Sequence, residues 1–213
     1  MTTSEQQRRR WETVTALPLV ALSLVFLTAY SVRVLDPSLP GKGQAALNIL
    51  IAAIWALFAA DYLVRLGLAH DRGAFFRSAF PDLLSVLVPV FRPFILLSRL
   101  KDIPYFQRRS GASVRGRLVI HAALFVVLFV YSISLAVLAA ERGQPGANIE
   151  SFGDAVWWAC VTIATVGYGD FYPVTALGRF LAVILMFGGI AIVGVATATI
   201  VSYLGDSIRR QRR

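Results

Sequence analysis

The chain has 213 residues, of which 57% are hydrophobic and only 15% charged. A mean hydropathy of +0.66 excludes a water-soluble domain of this size, which needs more charged surface. The formal net charge is +9, but the cations cluster beside apolar runs and leave no soluble basic domain, so nucleic acid is not an expected partner.

Residues 14–32 form an uncharged run of 19, residues 118–140 a run of 23 and residues 180–204 a run of 25. A helix crosses a bilayer with about 20 apolar residues, so each run is long enough. The first helix is expected at roughly 11–35 and stops in the turn-rich stretch 36–43. Arg8, Arg9 and Arg10 ahead of it mimic a signal peptide. The apolar run is too long for a signal core and lacks a small-x-small cleavage site before Arg33, so a retained helix is expected. The second helix is expected at roughly 44–69 and carries Asp61 and Arg65.

A third helix begins near Phe80-Pro81-Asp82, where proline suits a first helical turn. Its apolar part, 83–91, is short; Pro89 and Pro93 interrupt the chain, and a fourth helix runs on to about Phe106. A single kinked or re-entrant hairpin across 80–100 is the alternative. A polar linker, 107–116, leads to a fifth helix ending near Ala140, and 141–148 reads as an extramembrane loop. Residues 152–164 would make a helix of about 20 Å, too short for a hydrocarbon core of roughly 30 Å, so it is expected to be re-entrant. Ser151 and Asp154 form an N-terminal capping pattern for it. The last helix is expected at about 175–207; few residues follow, so no large cytoplasmic ligand-binding domain is expected in this chain.

The fold class that follows is an all-α membrane protein in two units. Residues 1–107 hold four helices; residues 108–213 hold helix, re-entrant helix, polar loop and helix. With six crossings, 13 of the 21 cations fall on the side shared by both termini, 4 on the other side and 4 inside helices. That asymmetry places both termini in the cytoplasm.

Non-helical backbone at membrane depth is tolerated only inside protein or beside a water-filled path. Thr165-Val166-Gly167-Tyr168-Gly169 is such a segment. Gly167 and Gly169 accept positive φ, and alternating glycines let successive carbonyls face one side. Four such strands around an axis would replace a cation's water shell with rings of oxygen. The rings would come from the carbonyls of Thr165, Val166, Gly167 and Tyr168 and from the Thr165 hydroxyl, with the Val166 and Tyr168 side chains turned away from the axis.

The stretch from Trp157 to Pro173, with Trp157-Trp158, Thr165-Val166-Gly167-Tyr168-Gly169 and Asp170, closely resembles the pore loop of potassium channels. The resemblance covers the chain from the fifth helix to the end. It implies that K+ is the permeant ion at Thr165, Val166, Gly167 and Tyr168, and that Trp157, Trp158 and Tyr168 form an aromatic cuff. It also implies a bond from Trp158 to Asp170, and an outer-mouth position for Tyr172 of the kind linked to block by quaternary ammonium. Where some two-helix bacterial channels carry a glutamate behind the filter, this sequence has Val161, as in voltage-gated relatives. Gly189 matches the inner-helix hinge glycine, with Gly188 and Gly194 adding local flexibility; close helix packing is the alternative role for small residues there.

The four leading helices resemble a voltage-sensor domain, less specifically, as in prokaryotic voltage-gated-type potassium channels. Phe58 and Asp61 match an aromatic–acid charge-transfer pair, with Arg65 on the same helix face, and Asp82 matches the third-helix acid. The fourth helix departs from the pattern: stepping by three from Arg92 meets Ile95, Ser98 and Lys101, while Arg99 is out of register. Two charges per subunit give at most about 18 kcal/mol per 100 mV for four subunits, so voltage dependence is expected to be weak or absent. Equally, Asp61 and Asp82 answer the need of buried cations for partners.

One filter sequence per chain implies a homotetramer. Anionic lipids are expected at the basic cytoplasmic rim. No cofactor beyond the permeant ion and no catalytic set is expected. Cys160 reads as a small buried residue and His121 as a packed or interface residue. A non-conducting subunit or membrane interaction protein is the rival reading.

Overall fold

The computed structural model describes residues 3–69, 73 and 111–211. All of its regular elements are helices: α1 (Thr3–Leu35), α2 (Gly41–Leu68), α3 (Gly111–Glu141), α4 (Phe152–Ile163) and α5 (Ala176–Gln211). The expected third and fourth helices, the alternative hairpin, the boundary at 107/108, and Asp82, Arg92, Arg99 and Lys101 lie outside the described residues. Among the described residues four stretches are long and apolar enough to cross a membrane: Gln6–Leu35, Gly41–Leu68, Ala122–Glu141 and Ala176–Ala198.

Three boundaries differ from expectation. α1 reaches back to Thr3 and takes the arginines at its start into the helix. α3 starts at Gly111, inside the expected polar linker, and α5 continues to Gln211. Arginine, serine and valine extend helices well enough once a nucleus exists, so polarity marked the membrane boundary and not the helix end.

The chain forms two compact units, Met1–Ser132 and Ile133–Arg213. In the first, α1 and α2 form a hairpin through a turn in which Asp36 Oδ1 accepts bonds from the Ser38 amide and hydroxyl. Its core is Leu19 and Phe26 from α1 with Ile54 and Phe58 from α2, and Leu22, Tyr30 and Ile51 pack against it. Spacings of three and four residues place each set on one helix face. The opposite faces expose Leu17, Val25, Ile49 and Leu57, as suits a helix surface bathed in lipid. Three hydroxyls of α1 are satisfied without water: Ser23, Thr28 and Ser31 each donate to the carbonyl four residues back. Tyr131, in the second half of α3, donates to Ser31 Oγ at 2.7 Å.

Polar chemistry in this unit concentrates on α2. Arg65 and Asp61 are 8% and 6% exposed and pair at 2.7 Å one turn apart. The Trp11 indole donates to the other Asp61 oxygen at 2.9 Å, tying α1 to α2. A double-mutant cycle of Asp61→Asn and Arg65→Gln should return a coupling of about 1–3 kcal/mol in unfolding of the detergent-solubilised protein. Additive effects would show that the pair is not coupled.

In the second unit, buried Ile133, Leu135, Val137 and Leu138 of α3 share a core with Ala155, Trp158 and Ala159 of α4 and Leu181 and Leu185 of α5. Ala155 and Ala159, one turn apart and fully buried, give α4 a slim face for close approach. Ser134 Oγ donates to the Ala155 carbonyl at 3.2 Å. At 12 residues, α4 is about 18 Å long and cannot cross a bilayer.

Candidate functional site

α4 leads into the segment 165–169 that the sequence marks as the expected filter. Ser151 and Asp154 close a reciprocal capping box at its start: the Asp154 amide donates to Ser151 Oγ and the Ser151 amide to Asp154 Oδ2. These bonds, the Ser151 side chain foremost, hold the Asp154 carboxyl below its ordinary value. At the other end the Val166 amide reaches back five residues to the Val161 carbonyl, widening the last turn before the chain leaves the helix.

From there φ is positive at alternate residues: Thr165 at 57°, Gly167 at 62° and Gly169 at 78°. Val166 and Tyr168 between them are not left-handed. Glycine takes positive φ without a Cβ clash. Thr165 is the one non-glycine residue with positive φ among the described residues, in a conformation that costs roughly 1–2 kcal/mol. Composition gave no sign of this strain; the glycines alone were legible.

The Trp157 and Tyr168 rings stack at 5.9 Å between centroids and 2° between planes. The bond to Asp170 comes from Trp157, whose Nε1 donates to Oδ2 at 2.7 Å, and not from Trp158 as the resemblance implied. One residue is 100° of helix: Trp157 stands on the exposed side of α4 facing the filter, and Trp158 turns into the core. Asp170 Oδ1 accepts from the Phe171 amide.

Two further residues hold the strand beyond the filter, and neither was singled out from sequence. Asn148 donates through Nδ2 to the Asp170 carbonyl at 2.9 Å, and its Oδ1 accepts from the Tyr172 amide at 3.2 Å. Glu141, expected in an extramembrane loop, is instead the last residue of α3 and is 0% exposed. Its carboxylate accepts from the Val174 amide at 2.9 Å, the Thr175 amide at 3.0 Å and the Thr175 hydroxyl at 2.6 Å. These contacts span more than 20 residues of sequence, so no local motif announces them.

The remaining residues divide. Tyr172 is exposed and is tethered through its backbone. α5 runs unbroken past Gly188, Gly189 and Gly194. A Cβ on Gly189 would stand 3.3 Å from Ile163 Cα, which supports the packing role at that position; nothing lies within 4 Å of one on Gly194. Cys160, expected to be buried, is exposed on the single chain. The His121 side chain lies outside the described residues. Phe58, Asp61 and Arg65 share a buried face of α2, as their spacing required.

Residues 118–206 match the family described as ion channel. Over 196 residues the chain is 31% identical to a cyclic nucleotide-gated potassium channel of Mesorhizobium japonicum, covering 82% of this chain and 54% of that protein. Residues 118–206 thus match an ion-channel domain, and the relatives that share this stretch are potassium channels. The channel domain also resembles a calcium-gated potassium channel of Thermoplasma volcanium, 38% identical over 89 residues that cover 42% of this chain and 25% of that protein. A cyclic nucleotide-gated potassium channel of Rhizobium etli is 29% identical over 190 residues, 81% of this chain and 53% of its own length. The chain thus spans about half the length of the two cyclic nucleotide-gated relatives.

Proposed function

We propose that the chain is one subunit of a homotetrameric channel that conducts potassium passively and selectively across a cell membrane. The observation that carries this reading is the alternation of φ between Thr165 and Gly169, because that backbone turns successive carbonyls to one side. The carbonyls of Thr165, Val166, Gly167 and Tyr168 and the Thr165 hydroxyl then ring the ion in place of water. Residues 164–170 are exposed on a single chain, a state that membrane depth does not tolerate. Three further copies around a fourfold axis cover them and complete the rings.

In this reading residues 108–213 form the pore and residues 1–107 a sensor-like domain, with both termini cytoplasmic and the basic rim against anionic lipid. The permeant ion is the only ligand required, and no catalytic step enters. Asp61 is already held by Arg65 and Trp11, which favours a structural over a sensing role for that acid and supports weak or absent voltage dependence. Gating falls to the inner helix, α5.

The test is flux. The purified protein, reconstituted alone in liposomes, should take up rubidium far in excess of sodium. Equal uptake of the two ions, or none from a folded tetramer, would overturn the reading. A conductance–voltage curve with a steepness of about ten charges would overturn the weak voltage response.

A further inference from the structure

We propose that Asn148 is a positioning residue for the filter: its side-chain amide acts as a one-residue β-partner that holds the strand at Asp170–Tyr172 and so keeps the filter conducting when ion occupancy falls. The inference rests on the conducting role proposed above.

The geometry is specific. Asn148 bonds the carbonyl of residue 170 and the amide of residue 172, the two backbone groups that flank Phe171. A residue in a parallel β-ladder bonds the same pair, the carbonyl before and the amide after its opposite number. Only a primary amide offers one donor and one acceptor in the required plane, and the two partners fix which end is nitrogen. Aspartate at 148 could accept from the Tyr172 amide but not donate to the Asp170 carbonyl, and leucine could do neither.

Position gives the bond its consequence. The left-handed part of the strand ends at Gly169, and Asp170 is the next residue. The Asp170 side chain is held by Trp157, but side-chain tethers leave the peptide plane free to rotate. Asn148 acts on the peptide itself: it draws the Asp170 carbonyl to the loop side of the strand, away from the row of carbonyls formed by residues 165–168. Facing carbonyls repel one another, and bound cations offset that repulsion. When ions leave, backbone tethers alone oppose rotation of the outermost peptides. Asn148 on the peptide and Glu141 further along at Val174 and Thr175 divide that work, while Trp157 fixes only the Asp170 side chain.

The experiment compares wild type, Asn148→Ala and Asn148→Asp as full chains in liposomes and in detergent. Rubidium uptake is measured after increasing times in potassium-free, sodium-containing buffer. In high potassium, Asn148→Ala should keep the wild-type preference for rubidium over sodium. In potassium-free buffer it should lose uptake several-fold faster, and the Tyr172 amide should exchange with solvent about tenfold faster. Asn148→Asp keeps the acceptor for Tyr172 but sets a carboxylate oxygen against the Asp170 carbonyl. It should therefore protect the Tyr172 amide and still lose uptake quickly. This variant also serves if the alanine protein fails to assemble. Loss of uptake at the wild-type rate in both variants would overturn the proposal. If wild type itself conducts no rubidium, the conducting role fails separately; an unchanged Tyr172 exchange rate in Asn148→Ala would still overturn the tether.

Discussion

Gly178→Ala should disrupt the second unit as severely as any single methyl group can. A Cβ there would fall on Glu141 Oε1 and would stand 2.9 Å from Pro173 Cβ and 3.0 Å from Thr175 Oγ1. These neighbours belong to a closed, buried network. Thr175 Oγ1 donates to Glu141 and accepts from the Gly178 amide at 2.9 Å, while the Val174 and Thr175 amides converge on the same carboxylate. Overpacking alone costs about 1–3 kcal/mol. Each buried donor that loses the carboxylate adds ~1–3 kcal/mol. Glu141→Ala should approach the same loss, and Glu141→Gln should be milder because one acceptor oxygen survives. Thermal unfolding of the detergent-solubilised assembly measures all three. Wild-type stability in Gly178→Ala would mean that Glu141 does not hold this strand.

The second large effect is on selectivity. Gly169→Ala, and Gly167→Ala in parallel, should abolish the preference for rubidium over sodium while leaving the helices and the assembly intact. Nothing lies within 4 Å of a Cβ at either position on the single chain, so the penalty there is in the backbone and not in packing. At φ of 78° and 62° an alanine Cβ meets its own carbonyl, at roughly 1–2 kcal/mol per residue. Four copies act on one ring, so the strain is ~4–8 kcal/mol per site if all four strands keep the native geometry. A strand relieves it by turning its peptide, which removes carbonyls from the ring. Retained selectivity in the flux assay would show that these residues do not shape the ion path.

Much of this was legible before any coordinates. The spans needed only hydropathy and length, because a bilayer imposes one dimension on every helix. The short α4 followed from the same ruler. The capping box was legible because its two partners sit three residues apart, and Gly167 and Gly169 because only glycine makes positive φ cheap. The buried pair on α2 followed from helical spacing.

What stayed hidden shares one property. Trp157 and Trp158 are adjacent and chemically identical, so only the rotation of α4 against the filter decides which one meets Asp170. Glu141 stood at the end of an apolar run and its charge read as a membrane boundary; its partners lie 33 and 34 residues away. Trp11 reaches Asp61 across 50 residues. By itself the sequence determined the composition of the proposed path: which five residues would form it, how the short helix delivers them and how often glycine must recur. The tertiary structure alone decided what holds that path in shape, because its outer end is fixed by side chains distant in sequence, and the chemistry of a buried acid or amide shows only in what it touches.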